Sequence, residues 1–184
     1  MFAALQPAVA HRPAPGSFGC IALRDMGADD VAPVVAIERR VKFDAWRGSD
    51  FQRCLDAGYV CPVAETAHGV IGYGVMSLAD DYARIANLCI APDRHGRGLG
   101  RMLLASMLHE ARVRGARLAF LEVRAGHQRA RKLYRAAGFR DVGRRYGYYL
   151  TRSGWEDAVI MARPVALRGP AASQPAGTQA RSTE

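Results

Sequence analysis

Hydrophobic residues follow two distinct periods along the chain, and the change of period separates strands from helices. In "YARIANLCIA", residues 82–91, apolar positions alternate, which predicts a buried strand. In residues 99–114 the apolar residues recur at every third or fourth position, so they share one face of a predicted helix. Gly115 directly follows this helix and suits its C-terminal cap.

The same patterns predict the order β-α-α-β-β-β-α-β-α-β-β for the whole chain. The predicted strands cover residues 20–26, 59–66, 69–80, 82–91, 117–125, 139–151 and 155–164, and the predicted helices cover residues 27–43, 49–58, 99–114 and 127–138. Ser49 is placed as the cap of the second helix. This order is typical of an α/β fold in which helices flank a mixed sheet.

Both ends of the chain differ in composition from the middle. Residues 1–18 are interrupted by proline and lack a charged signal region, and residues 166–184 are rich in Pro, Gly, Ser and Ala. We therefore expect flexible tails around one domain of residues 19–165. No apolar run approaches the roughly 18 residues of a membrane span, so we expect a cytoplasmic protein without membrane contact.

Cysteine and histidine spacing excludes several kinds of site. The four cysteines have no C-x-x-C spacing, and three lie in apolar surroundings, which favours buried, reduced thiols. The histidines form no metal-binding pattern: His109-Glu110 begins like a zinc-protease helix, but Val113 stands where the second histidine is needed. We expect no metal.

Positive charge is concentrated in one half of the chain. Residues 94–152 contain 15 Arg or Lys and three acids, within a total net charge of +9. These arginines are spread over predicted helices and strands, and no nucleic-acid-binding module is recognisable. We expect no direct nucleic-acid binding; a phosphate-bearing small ligand accounts for part of the excess.

A glycine-rich turn is the clearest candidate binding site. In "IAPDRHGRGLGRMLL", Gly96, Gly98 and Gly100 stand between a predicted strand and a predicted helix. Free backbone N–H groups and the helix dipole attract anions at such a place, and glycine lets a phosphate approach the backbone. Arg101-Met102 follow Gly100, so the turn is not a P-loop, and it also fails the G-x-G-x-x-G dinucleotide pattern. The x-x-x-G-x-G arrangement that holds the pyrophosphate of coenzyme A fits; a glycine turn without a ligand remains the alternative.

The stretches "HGRGLGRMLL", "LEVRAGHQRARKLYRAAGF" and "RRYGYYLTRSGWEDAVIMARP" together resemble the GNAT N-acetyltransferase superfamily. Within it they look like the RimI-type ribosomal-protein-alanine N-acetyltransferases. The resemblance runs from about Tyr82 to Pro164. It implies a bent, mixed sheet whose central parallel strands splay apart around acetyl-CoA.

The resemblance also implies which residues contact acetyl-CoA. The backbone of Leu88, Cys89 and Ile90 would pair with the pantetheine arm, and the turn formed by Gly96, Arg97, Gly98, Leu99, Gly100 and Arg101 would hold the pyrophosphate. The chain departs from the family at His95, where Gln or Arg is usual, and at His127, where Asn is usual. The side chain of His127 would touch the cofactor arm or cap the following helix.

Acetyl transfer to an amine requires a proton acceptor for the amine and benefits from a proton donor for the leaving thiolate. Glu122 alternates with Leu121 and Val123 and so points to the opposite sheet face from them. It is the candidate base; an ion pair with a nearby arginine, such as Arg124, is the alternative. The family match makes Tyr134 the candidate acid, whereas its helical spacing would equally suit a core aromatic.

By resemblance, the expected substrate is the N-terminal alanine of a small-subunit ribosomal protein. Two alternatives remain open. The first is a GNAT enzyme that acetylates a small-molecule amine or a lysine. The second is a module that binds coenzyme A without turnover, although the presence of both Glu122 and Tyr134 argues against it.

Overall fold

The computed structural model describes residues 21–165, so the predicted tails at 1–18 and 166–184 lie outside the described residues. Every predicted strand and helix within this range is confirmed. The strands are Ala22–Asp25 (β1), Pro62–Thr66 (β2), Gly69–Ala79 (β3), Tyr82–Ile90 (β4), Leu118–Arg124 (β5), Arg140–Thr151 (β6) and Gly154–Pro164 (β7), and the helices are Val31–Val41 (α1), Gly48–Asp56 (α2), Leu99–Val113 (α3) and Gln128–Ala136 (α4). Short 3-10 turns precede α1 and follow β4.

The described strands form one mixed sheet in the order β1-β2-β3-β4-β5-β7-β6. Strands β4 and β5 run parallel to each other, and the other neighbours pair antiparallel. The parallel pairing starts at Tyr82 and Leu118 and ends at Ile85 and Leu121. Both strands continue beyond that point without pairing to each other, so the sheet opens between them, as the resemblance implied.

A β-bulge in β4 lies at the start of this opening. Val75 of β3 pairs with Asn87 and Met76 pairs with Ile85, which leaves Ala86 as an extra residue. The bulge reverses the alternation of the strand: Ile85 belongs to the core beneath α3 and α4, whereas Cys89 belongs to the core beneath α1 and α2.

Strand β5 presents its two faces to different surroundings. Leu121 and Val123 pack with Leu104, Met107 and other residues in the core beneath α3 and α4. Glu122 therefore projects to the face on which α1 and α2 lie. The period-two pattern predicted this orientation correctly.

Helix α2 begins one residue earlier than predicted, and Ser49 is not its cap. Arg47 occupies the cap position, and its backbone N–H donates to the Asp50 carboxylate at 2.7 Å. Asp50, as the third residue of the helix, thus binds the N–H of the cap residue, and Ser49 lies inside the first turn, which explains the correction. Within residues 21–165, no helix is long and apolar enough to cross a membrane.

Candidate active site

A cleft of about 260 Å³ occupies the opening between β4 and β5. The end of β4, the glycine turn, the start of α3 and one side of α4 form its walls. Most of the residues expected to contact acetyl-CoA line it: Leu88, Cys89, Ile90, Gly96, Gly98, Leu99, Gly100, Arg101 and His127. Tyr134 also lines the cleft, whereas Arg97 and Glu122 are not among the lining residues.

The structure requires glycine at the three positions of the turn for two different reasons. Gly96 and Gly98 both adopt φ +80°, a left-handed conformation that costs other residues energy. Gly98 is the N-cap residue of α3, so the free N–H groups of the helix begin at this point. A Cβ on Gly100 would lie 3.3 Å from Leu133 Cδ2 of α4, so this glycine permits close packing at the cleft.

The end of β4 directs backbone groups into the opening. The Ala91 N–H donates to Ile71 O at 2.9 Å, and Ile90 is the next residue along the ladder, paired with Gly72. Hydrogen-bonded and non-hydrogen-bonded pairs alternate in an antiparallel ladder, so the N–H and C=O of Ile90 point away from β3. His95, where the chain departs from the family, places Nε2 2.8 Å from Ile90 O.

Burial affects the chemistry of one further cleft residue. Cys89 is buried, and this burial raises the pKa of its thiol to about 11. The thiol therefore stays protonated at neutral pH and is a poor nucleophile.

Positive charge surrounds the cleft more closely than sequence reasoning had predicted. Arg94 and Arg129 line it together with Arg101. Arg94 ends a 3-10 turn, and Arg129 lies in the first turn of α4. The basic half of the chain had suggested a phosphate-bearing ligand, but only the fold brings these three side chains to one cleft. Glycines at a helix N-terminus with three arginines suit a pyrophosphate.

His127 caps helix α4. Its Nδ1 accepts a hydrogen bond from the Ala130 backbone N–H at 3.3 Å. Burial lowers the pKa of the imidazole below its ordinary 6.5, so the ring is neutral at pH 7 and Nδ1 is available as an acceptor. The structure thus assigns to His127 the capping role, one of the two anticipated for it, while the ring also lies on the wall of the cleft.

Tyr134 lies on α4, where its position agrees with both sequence-based interpretations: a core aromatic and a candidate acid at the cleft. Its ring packs edge-on against Phe139 at a centroid distance of 5.9 Å and belongs to the core beneath α3 and α4. Its side chain nevertheless lines the cleft. Burial raises the pKa of the phenol, so it remains a proton donor throughout the neutral range.

The side chain of Glu122 is largely buried and forms ion pairs with two arginines. It is 6% exposed. Oε2 lies 3.2 Å from Arg84 Nη2 of β4, and Oε1 lies 3.5 Å from Arg145 Nη2 of β6. The ion pair with a nearby arginine is therefore present, but Arg124 is not the partner, because its guanidinium turns towards Asp44 and Glu156 instead.

A second buried carboxylate lies near the opening, and the sequence analysis did not identify it. Glu38 of α1 is fully buried and accepts hydrogen bonds from the Tyr73 hydroxyl and from Asn87 Nδ2. Lys42 Nζ lies 3.3 Å from Glu38 and donates to Asn87 Oδ1 at 2.6 Å. Asn87 directly follows the bulge in β4, so this cluster fixes the end of α1 to the splayed strand.

Comparison with known proteins places the fold and the cleft in a family. Residues 30–139 match the model of the acetyltransferase (GNAT) family. The chain is 32% identical over 142 residues to a [ribosomal protein bS18]-alanine N-acetyltransferase of Salmonella typhimurium, with 77% of this chain and 96% of that protein covered.

Solved structures agree with this match. The crystal structure of the ribosomal-protein-S18-alanine N-acetyltransferase from Escherichia coli superposes with a TM-score of 0.77 at 29% identity, covering 83% of this chain and 98% of that one. A GNAT superfamily phosphinothricin acetyltransferase from Sinorhizobium meliloti, solved in complex with acetyl-CoA, has a TM-score of 0.69 at 23% identity, covering 78% of this chain and 88% of that one. The second likeness concerns the fold alone.

The cleft of this chain suits acetyl-CoA: left-handed glycines precede a helix N-terminus, arginines line the wall, and an open strand edge faces inward. Within the described part of the chain, no three His, Cys, Asp or Glu side chains gather as a metal site. The family match spans more than half of the chain and coincides with this cleft. The chain therefore belongs to the GNAT acetyltransferase family, with acetyl-CoA as its co-substrate.

Proposed function

We propose that this enzyme transfers the acetyl group of acetyl-CoA to the N-terminal amine of a protein, and that its substrate is the N-terminal alanine of ribosomal protein bS18. The named relative acts on that protein, and the chain covers nearly all of the relative's length. One structural observation carries the proposal: the opening beyond Ile85 and Leu121 has Tyr134 on one wall and Glu122 on the opposite sheet face.

The proposed contacts to acetyl-CoA follow the walls of the cleft. Leu88, Cys89 and Ile90 offer a strand edge to the pantetheine arm, which would add to the sheet as an extra strand does. The turn from Gly96 to Arg101 receives the pyrophosphate. Arg97 is not among the residues that line the cleft, but it lies between Gly96 and Gly98, so we expect its backbone N–H to contribute to the turn.

Bound acetyl-CoA supplies a thioester that an amine can attack. A peptide α-amine has a pKa of roughly 7.7–8.0, so much of it is protonated at neutral pH. Glu122 accepts the proton of this amine, directly or through a water molecule, when the substrate displaces Arg84 or Arg145 from the carboxylate. The N–H of Ile90, which points into the opening, polarises the carbonyl, and Tyr134 donates a proton to the departing thiolate.

We place the enzyme in the cytoplasm, where a ribosomal protein is available and thiols stay reduced. Cys54, Cys61 and Cys89 are all free in the structure, which agrees with a reducing compartment. The proposed reaction uses a protein N-terminus and acetyl-CoA, and it needs neither nucleic acid nor a membrane as a partner.

An acceptor screen separates this function from its alternatives. The wild-type enzyme is incubated with acetyl-CoA and with a basic peptide that begins with alanine, and thiol release is measured. The matched control is the same peptide with a blocked N-terminus and its lysines intact; a polyamine and an aminoglycoside complete the set. We expect turnover with the free peptide alone. Faster turnover with the blocked peptide or a small amine would refute α-amine specificity, and no turnover with any acceptor would favour the non-catalytic module.

A further inference from the structure

Arg124 connects two parts of the structure that flank Glu122. These two walls are the segment of residues 42–47 and the hairpin formed by β6 and β7. Arg124 Nη2 donates to Asp44 Oδ1 at 2.8 Å, in the segment of residues 42–47 between α1 and α2. Its Nη1 lies 3.4 Å from Glu156 of β7, and both nitrogens lie 3.5 Å from Leu150 O of β6. The guanidinium thereby links β5, the segment 42–47 and the hairpin formed by β6 and β7.

The same arginine supports the backbone of Glu122. Its guanidinium lies 4.4 Å from the centroid of the Tyr149 ring, a distance at which cation–π attraction acts. The Tyr149 hydroxyl in turn donates to Glu122 O at 3.0 Å. Residues 122 and 124 project to the same sheet face. An amine that reaches Glu122 on this face arrives between the walls that Arg124 connects.

The middle of the segment 42–47 depends on this contact. Its two ends are held by the Glu38 cluster: Lys42 bonds to Asn87, and the Trp46 N–H lies 3.4 Å from Glu38 Oε1. Phe43 is 60% exposed and is approached by Arg152 of the hairpin at 5.7 Å. Among the contacts of the described residues, Arg124 supplies the charged link at Asp44.

Removal of the Arg124 charge would have a specific electrostatic consequence. Asp44 and Glu156 both lie within 3.4 Å of the same guanidinium, whose side chain is only 22% exposed. Without that guanidinium, the two carboxylates lose the cation that they share, Glu156 keeps only the hydrogen bond from the Gly126 N–H at 2.7 Å, and the like charges repel. The repulsion would separate the segment 42–47 from the hairpin.

We propose that Arg124 is a positioning residue for the acceptor: it sets the spacing between the segment 42–47 and the β6–β7 hairpin, so that a peptide N-terminus enters in line with Glu122. The proposal rests on the proposed function. Arg124 is not among the residues lining the acetyl-CoA cleft, so its loss affects the binding of the acceptor and spares that of the cofactor.

Kinetics with a matched control test this role. R124Q is compared with R117Q, which removes an arginine that precedes β5 and pairs with Asp81 at the surface. For R124Q we expect the KM of an alanine-starting peptide to rise about tenfold, as for one lost charge-assisted contact, with acetyl-CoA affinity unchanged by calorimetry. R117Q should match wild type. Adding D44N to R124Q should recover part of the loss, because one of the two repelling carboxylates is gone.

A second measurement requires no acceptor. Hydrogen exchange of R124Q should be faster than wild type in residues 42–47 and in the hairpin around residues 147–155, and unchanged in α4. If no peptide is acetylated by wild type, the proposed function fails, while the exchange still decides whether Arg124 links the walls. If R124Q does not fold, D44N replaces it in the same exchange measurement. D44N breaks the same ion pair at Asp44, which is the more exposed partner. A peptide KM equal to that of R117Q, or unchanged exchange in both walls, would overturn the proposal.

Discussion

Ile85 and Leu121 are the last residues through which the two parallel strands pair, and the cleft for acetyl-CoA opens directly beyond them. The bulge at Ala86 follows at once, and it turns the remaining part of β4 so that the Ile90 backbone faces the opening. In the proposed mechanism, the end of a strand pairing, a glycine turn and two side chains on opposite faces together form the reaction site.

We expect Gly98→Ala to weaken the binding of coenzyme A about tenfold. Gly98 adopts φ +80°, and an alanine there costs about 1 kcal/mol, so the turn relaxes away from the shape that receives the pyrophosphate. Gly58→Ala is the matched control, because Gly58 has φ +70°, open space around its Cβ position and no place in the cleft. Both variants should lose similar free energy of unfolding. Equal coenzyme A affinities by calorimetry would contradict the assignment of the turn.

We expect Tyr134→Phe to retain the fold and acetyl-CoA affinity but to lower kcat about 100-fold, the typical contribution of a general acid. Phenylalanine preserves the edge-on contact with Phe139 and removes only the hydroxyl. Because burial keeps the phenol protonated, the defect should be constant between about pH 6 and pH 9. Tyr82→Phe, at the exposed start of β4, serves as the control. Turnover at the wild-type rate would reduce Tyr134 to a core aromatic.

Local structural features could be predicted from the sequence where residues that are neighbours in the chain determine them. The periods of α3 and β5, the glycine turn before α3 and the orientation of Glu122 all depend on residues close together in the chain. The ion partners of Glu122 could not be predicted in this way. Arg84 and Arg145 reach it through the register of β4 with β5 and through the position of β6, and these depend on long-range packing.

Helix caps show the same limit on a smaller scale. Ser49 is a suitable cap by residue type, yet the Asp50 carboxylate closes the first turn of α2. The cluster around Glu38 carries no signal in the sequence, because its four members come from one helix, its C-terminal end and two strands. Only the fold brings them together.

His127→Asn should change the dependence of stability on pH. The folded state lowers the pKa of His127 below 6.5, so the unfolded chain binds the proton more tightly and stability is lost as the pH falls below that value. Asparagine also caps helices but does not titrate. Urea unfolding at about pH 7.5 and pH 5 should show a smaller acid loss for H127N than for wild type. His109→Asn, on the exposed face of α3, controls for the substitution itself. An equal acid loss in H127N and wild type would contradict the cap described here.

The most direct test of the account is the pH dependence of Glu122→Gln. Glutamine keeps the volume and can still accept a hydrogen bond from Arg84, but it cannot accept the proton of the substrate amine. Glu110→Gln, which removes a carboxylate paired with Arg114 on α3, is the control. kcat/KM for an alanine-starting peptide is measured from about pH 6 to pH 9.5, across the pKa of the amine. We predict that E122Q is most impaired below about pH 8 and recovers relative to wild type as the amine loses its proton, while E110Q follows wild type throughout. A ratio of E122Q to wild type that stays constant across this range, whether near one or far below it, would contradict the role of Glu122 as the base.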